Sequence, residues 1–160
     1  MSKIILFFSQ ILTITIIFID SKITKMKIYT DGGSRGNPGK AACAFIVVKD
    51  NKITKQKSKF IGYNKTNNEA EYNAIILALE TIHKKELEII LDSELVIKQI
   101  TGKYKTNKPH LAILKQKIQG LISNRKVKFT NVKRENKYIS IADILVNIEL
   151  NKRKKRSPYL

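Results

Sequence analysis

The sequence predicts an α/β fold: a mixed five-stranded sheet, made of a three-strand meander plus two parallel strands, flanked by helices. Three observations predict it. Residues 27–61 hold three β-rich runs separated by turn residues. After them strand and helix patterns alternate, which builds parallel strands joined by helical crossovers. With 160 residues and 42% hydrophobic content the chain can bury one core without staples, and a single cysteine supplies no internal disulfide.

The elements follow in order. Lys27 to Thr30 reads as a short strand ending at Asp31. Gly32 to Gly39 reads as a Gly-rich turn, its glycines permitting positive φ or a close backbone approach. Residues 41–49 form the second strand, Asp50-Asn51 supply turn chemistry, and residues 52–61 form the third. Asn67-Asn68 can cap a helix on which Tyr72, Ile75, Ile76, Leu79 and Ile82 share one face. Leu87 to Leu91 is a buried strand ending at Asp92. Ser93 to Ile100 is a short helix with Leu95, Val96 and Gln99 in phase, stopped by Gly102. Residues 108–122 form a helix started near Pro109, and 127–132 form a fifth strand. Residues 140–150 form a last helix with Ile141, Ile144, Leu145 and Ile148 inward.

The two termini stand apart from this domain at 26–150. Residues 4–19 are apolar but short of the roughly 20 residues a spanning helix needs. Three readings of residues 1–25 stay open: a signal or anchor, a packed helix, or an upstream extension of the reading frame before Met26. The third is favoured over membrane contact, because Met26 opens a sequence that reads at once as a domain start; the missing small-residue cleavage pattern counts against a secretory signal. Residues 151–160 read as a basic tail, with Lys152 to Arg156 solvated rather than a nuclear signal.

Charge points to a polyanionic partner. The formal net charge is +18, and the excess runs through residues 26–150 as well as the tail. Yet 26 Lys against 5 Arg fits an AT-rich genome, so charge alone does not establish nucleic-acid binding. Two histidines and one cysteine exclude a zinc finger, and no Gly-Lys-Ser/Thr follows the Gly-rich segment, which disfavours a nucleoside triphosphatase. Cys43 reads as a small buried residue, and His83 and His110 as surface groups. In a parallel sheet, ligands bind beyond the carboxyl ends of the strands. Asp31 and Asp92 both sit there, and two neighbouring carboxylates call for cations.

Four segments then converge: Tyr29-Thr30-Asp31-Gly32-Gly33-Ser34-Arg35-Gly36-Asn37-Pro38-Gly39, Thr66-Asn67-Asn68-Glu69-Ala70-Glu71-Tyr72, Leu91-Asp92-Ser93-Glu94, and Ala142-Asp143-Ile144-Leu145-Val146-Asn147. In this order, over about residues 26–150, they resemble type 1 ribonuclease H, in the compact form without a basic protrusion. The resemblance implies an RNase H-like fold. It implies metal-dependent endonucleolytic hydrolysis of the RNA strand of RNA–DNA hybrids, leaving 5′-phosphate and 3′-hydroxyl ends. Four catalytic acids carry over to Asp31, Glu71, Asp92 and Asp143. Glu69 competes with Glu71, but the family's acid directly precedes Tyr or Leu. Two Mg²⁺ ions are implied, with Mn²⁺ an alternative because carboxylates accept both. Asp31 would bridge the two ions, roughly 4 Å apart, with Glu71 and Asp92 completing one site and Asp143 the other.

The resemblance also carries nucleic-acid contacts. Backbone around Gly32, Gly33, Ser34 and Arg35, with the side chains of Asn37, Asn67 and Asn68, would follow the minor groove, where the 2′-hydroxyl marks RNA. Thr66 matches a residue that seats a DNA-strand phosphate. Gly102-Lys103-Tyr104-Lys105 also matches the compact form, with lysines near a phosphate backbone or simply solvated. The family often carries a His in the loop before the last helix, whereas Arg134, Glu135, Asn136 and Lys137 stand here. The expected protein is a monomer without an obligate protein partner, cytoplasmic or organellar. The rivals are a non-catalytic hybrid- or duplex-binding domain of the same fold, a DNA nuclease of the wider fold, and a membrane-tethered form using residues 4–19.

Overall fold

The computed structural model describes residues 26–152, so both the apolar segment at 1–25 and the tail beyond 152 lie outside the described residues. Five strands form one sheet: β1 (Lys27–Gly36), β2 (Gly39–Lys49), β3 (Lys52–Lys65), β4 (Glu86–Leu91) and β5 (Lys126–Asn131). Four described helices accompany it: α1 (Asn67–Thr81), α2 (Glu94–Ile100), α3 (Pro109–Ile122) and α4 (Lys137–Asn151). The sheet order is β3-β2-β1-β4-β5. Strands β1, β2 and β3 pair antiparallel, while β4 lies parallel to both β1 and β5. The meander and the parallel pair expected from the alternating patterns are both present.

The sheet has a helix layer on each face. Ile28, Phe45, Val47 and Ile89 face α1 and α3, meeting Tyr72, Ile75, Leu79, Leu111 and Ile118. Tyr29, Ile46, Val48 and Ile90 face α4, meeting Tyr138 and Ile139. Strand β2 is buried on both faces from Ala41 to Val48, which is why it reads as a continuous apolar run. Ala42 and Ala44 are small, and Val146 and Leu150 of α4 pack directly on them.

Several expectations are corrected. The Gly-rich segment is not a long turn: β1 continues through Asp31 to Gly36, pairing Asp31 with Ala44 and Gly33 with Ala42. Only Asn37-Pro38, joined by a cis peptide bond, turns the chain, with Gly36 at φ 91°. Gly32 is needed for space: an added Cβ would overlap the Ala70 carbonyl and the Glu71 amide of α1. Likewise β3 extends to Lys65, and the N-cap of α1 is Thr66, not Asn67 or Asn68. Ser93 caps α2, its hydroxyl accepting from Val96 N–H. In that helix Val96, Gln99 and Ile100 are buried, while Leu95 is exposed. Helix α4 starts at Lys137, capped by Asn136, rather than at residue 140. Its inward residues include Ala142, Val146 and Leu150, leaving Ile144 55% and Ile148 46% exposed. The small residues of β2 set that phase, because the backbone of α4 can approach only where Ala42 and Ala44 leave room.

Candidate active site

Strand parity aims the acids. The β1–β4 register pairs Tyr29 with Ile90, so two residues further along come Asp31 and Asp92, on the same face as Tyr29 and Ile90. That face carries α4, on which Asp143 sits. Gly32 points the other way and lets the first turns of α1 press on β1, which brings Glu71 to the same rim. A polar cavity of about 390 Å³ results, with Asp31, Glu71, Asp92 and Asp143 in its wall. Gly32, Gly33, Ser34, Arg35 and Asn67 line it as well, as do Arg134 and Asn147.

Hydrogen bonds hold the acids in two chains. Asn67 donates from Nδ2 to Glu71 Oε1 at 2.9 Å, and its backbone N–H donates to Asn37 Oδ1 at 3.1 Å. Asn147 donates from Nδ2 to Asp143 Oδ2 at 3.1 Å and accepts from Arg35 Nη2 at 3.3 Å. Each chain thus runs from the β1–β2 hairpin to one acid on a helix. Glu71 Oε2 is buried and has no hydrogen-bond partner.

The acids repel one another in a partly dry site. Burial, then the charges of Asp143, Asp92 and Glu71, push Asp31 up to about 7, with Arg134 opposing. Burial pushes Glu71 up to about 7 as well, reinforced by Asp92 and opposed by Ser93 and Arg134. A divalent cation fits this donor set: four carboxylates, an unpartnered buried oxygen and excess negative charge. Among the described residues no three His, Cys, Asp or Glu side chains are already arranged to hold one metal ion.

The two competing acids on α1 separate cleanly. Glu69 closes a capping box, its N–H donating to the Thr66 hydroxyl at 3.2 Å and its Oε2 accepting from Thr66 N–H at 2.8 Å. Lys65 pairs with its other oxygen at 3.1 Å. Although burial works to raise its pKa, the Thr66 N–H and Lys65 outweigh that and hold Glu69 below the usual carboxylate range. Only Glu71 reaches the cavity.

The remaining sequence candidates divide. Asn37 stands behind Asn67 rather than in the wall. Thr66 has its hydroxyl engaged by Glu69 in both directions, and Asn68 lies outside the cavity. Ser34 lines the cavity but donates to the Lys65 carbonyl at 2.7 Å, tying β1 to the end of β3. Cys43 is buried, and burial pushes its thiol up to about 12, which leaves it unreactive. Two residues were not singled out from the sequence as parts of the site. Arg134 carries no motif, and only its place between β5 and α4 brings it to the acids. Asn147, one turn after Asp143, could have been found by its i, i+4 spacing.

Comparison with known proteins follows the same outline. The family model described as RNase H matches residues 23–147. Ribonuclease HI of Halobacterium salinarum is 44% identical over 91 residues, covering 54% of this chain and 45% of that protein. The bifunctional protein Rv2228c of Mycobacterium tuberculosis is 37% identical over 129 residues, covering 77% of this chain and 35% of the relative. The chain therefore spans less than half the length of these curated relatives. Among solved structures, the crystal structure of RNase H1 from H. salinarum superposes with TM-score 0.75 at 37% identity, covering 80% of this chain and 98% of that one. LC11-RNase H1, solved in complex with an RNA/DNA hybrid, superposes with TM-score 0.73 at 37% identity over the same shares. Matched along nearly its whole described length in sequence and in backbone, the chain belongs to the RNase H family, in its type 1 branch.

Proposed function

We propose that this chain hydrolyses the RNA strand of RNA–DNA hybrids endonucleolytically, with divalent metal, leaving 5′-phosphate and 3′-hydroxyl ends. One observation carries the reading: four carboxylates, from β1, α1, α4 and the bend after β4, meet at a single polar cavity, two of them pushed up to about 7. Such a cluster works against folding unless it serves a cation. Asp31, Glu71, Asp92 and Asp143 would hold Mg²⁺, or Mn²⁺ in its place. Bound there, the metal supplies a polarised phosphate and a water made acidic enough to attack near neutral pH.

The chain's own residues do the rest. Asn67 and Asn147 fix one oxygen each of Glu71 and Asp143, which leaves the other oxygen for the ligand. Arg134, exposed at the cavity's edge, can meet phosphate oxygens with its guanidinium. The backbone of Gly32 to Arg35 walls the cavity, so its peptide groups can face a sugar edge and its 2′-hydroxyl. A hybrid is also what LC11-RNase H1 binds in its solved structure. Among the described residues no helix is long and apolar enough to cross a membrane.

The test is cleavage of a strand-labelled hybrid by the full chain with Mg²⁺, with Mn²⁺ and with chelator, beside Asp31→Asn. Cutting of the RNA strand alone, lost in the variant and in chelator, is the expected result. Hybrid binding without cutting by the unaltered chain would replace this reading with a non-catalytic binding domain.

A further inference from the structure

We propose that Arg35 is a positioning residue for the metal ligand Asp143, acting through Asn147. The inference rests on the metal-dependent hydrolysis proposed above, and it gives the Arg35 side chain a task separate from that of its backbone.

Asn147 is held at both ends. Its Nδ2 donates to the Asp143 carbonyl and to Asp143 Oδ2, each at 3.1 Å. Its Oδ1 accepts from Arg35 Nη2 at 3.3 Å. That is the one side-chain hydrogen bond of Arg35 among the described residues. An amide so placed has a single sense, because a carboxylate accepts only from its NH₂ end and a guanidinium donates only to its oxygen. The cation also polarises the amide, which makes the N–H groups better donors to Asp143. Held through Oδ2, the Asp143 carboxylate keeps its other oxygen for a ligand. The chain that reaches Glu71 is built differently: it runs from Asn37 through Asn67 and carries no cation.

The two ends of this link are fixed without it. On the strand side, Arg35 pairs with Lys40 across the hairpin, and Ser34 donates to the Lys65 carbonyl at 2.7 Å. On the helix side, Val146 and Leu150 are buried against Ala42 and Ala44. Arg35 itself is exposed, and one hydrogen bond at an exposed edge adds little to stability. The link is therefore not what joins β1 to α4. It fixes the rotation of the Asn147 amide, and through that amide the rotation of the Asp143 carboxylate.

Charge and position predict opposite effects on the metal. Four carboxylates wall the cavity, and Arg35 lines it as well. By charge alone, losing a cation there leaves the cavity more negative and favours a divalent ion. Losing a hydrogen-bonded partner behind a ligand weakens metal binding instead.

The probe is Mn²⁺ alone, without hybrid, titrated into the full chain and followed by water-proton relaxation. Asp143→Asn marks the Mn²⁺ binding that depends on this carboxylate. Arg35→Ala and Asn147→Ala should each weaken that binding about ten-fold, the lower end for a partner behind a metal ligand. The double variant should fall within about two-fold of Asn147→Ala, because one route joins the two side chains. A melt in chelator checks that each variant folds, and Asn147→Ala carries the test alone should Arg35→Ala fail to fold. Unchanged or tighter Mn²⁺ binding in a folded variant, or losses that add in the double variant, overturns the inference while leaving the hydrolytic reading intact. Asp143→Asn with Mn²⁺ binding like its parent's overturns the metal assignment of Asp143 and this inference with it.

Discussion

Replacing Asp31 by Asn removes a proposed catalytic acid, yet it should make the metal-free protein more stable at pH 8. Burial and three neighbouring carboxyls push Asp31 up to about 7 from an ordinary 3.8. A carboxyl raised in the folded state favours folding only while protonated. That benefit is full below about 4 and is lost as pH rises through about 7. A gap of about three units at 1.36 kcal/mol per unit sets a ceiling near 4 kcal/mol. Coupling to Glu71 and the lost attraction to Arg134 reduce it, so the expected gain at pH 8 is about 2–4 kcal/mol. Urea unfolding in chelator at pH 8 and pH 4 measures it. At pH 4 the two proteins should agree within about 1 kcal/mol. Added Mg²⁺ should narrow the pH 8 gap by stabilising the parent, because a bound cation supplies the missing positive charge. An Asn variant no more stable than its parent at pH 8, or equally favoured at both pH values, would refute the account of the cluster as mutually repelling and half-buried.

Other outcomes follow from the same contacts. Glu69→Ala should lose about 1 kcal/mol of stability with its capping box and keep hydrolysis within a few-fold. Glu71→Gln should abolish hydrolysis with no loss of stability at pH 8; thermal melts and hybrid cleavage read both, and the reverse pattern would exchange the two assignments. Gly32→Ala drives a Cβ into the backbone of α1, and overpacking of this kind costs about 1–3 kcal/mol. With Glu71 displaced by about 1 Å, cleavage should fall roughly 100-fold, so parent-like turnover would show that α1 can yield. Arg134→Ala removes the cation that lowers both Asp31 and Glu71. The acid limb of the pH–rate profile should then move to higher pH, and an unmoved limb would mean that Arg134 does not face the acids in solution.

Much of the fold was legible because burial writes a periodic signal. Strand β2 is enclosed on both faces and reads as an unbroken apolar run, while α1 carries Tyr72, Ile75, Ile76 and Leu79 at helical spacing and all are buried. The errors fall where periodicity is overruled by one contact. Ile144 and Ile148 are as apolar as any core residue, yet they face outward because Ala42 and Ala44 draw Val146 and Leu150 inward. The Gly-rich segment looks like a turn because glycine is a turn residue. Here Gly32 serves a strand pressed against a helix, and only a neighbour 38 residues later, Ala70, reveals why no Cβ is allowed.

The four acids were legible for a different reason: strand ends pointed to Asp31 and Asp92, the motif resemblance added Glu71 and Asp143, and all four line one cavity. What surrounds them is not marked in that way. Arg134 stands in a loop with no pattern, and its relation to Asp31 depends on how β5 delivers the chain to α4. Asn147 and Asn67 each sit four residues from an acid and bond to it, but asparagine at that spacing is common on any helix surface. Glu69 and Glu71 show where the information lies. Both are acids in the opening turns of one helix, and residue type cannot separate them. The separation comes from Thr66, which binds Glu69 into the cap, and from Gly32, whose missing side chain lets Glu71 reach the rim. A site residue is thus assigned as much by what occupies its rival as by what it can do itself.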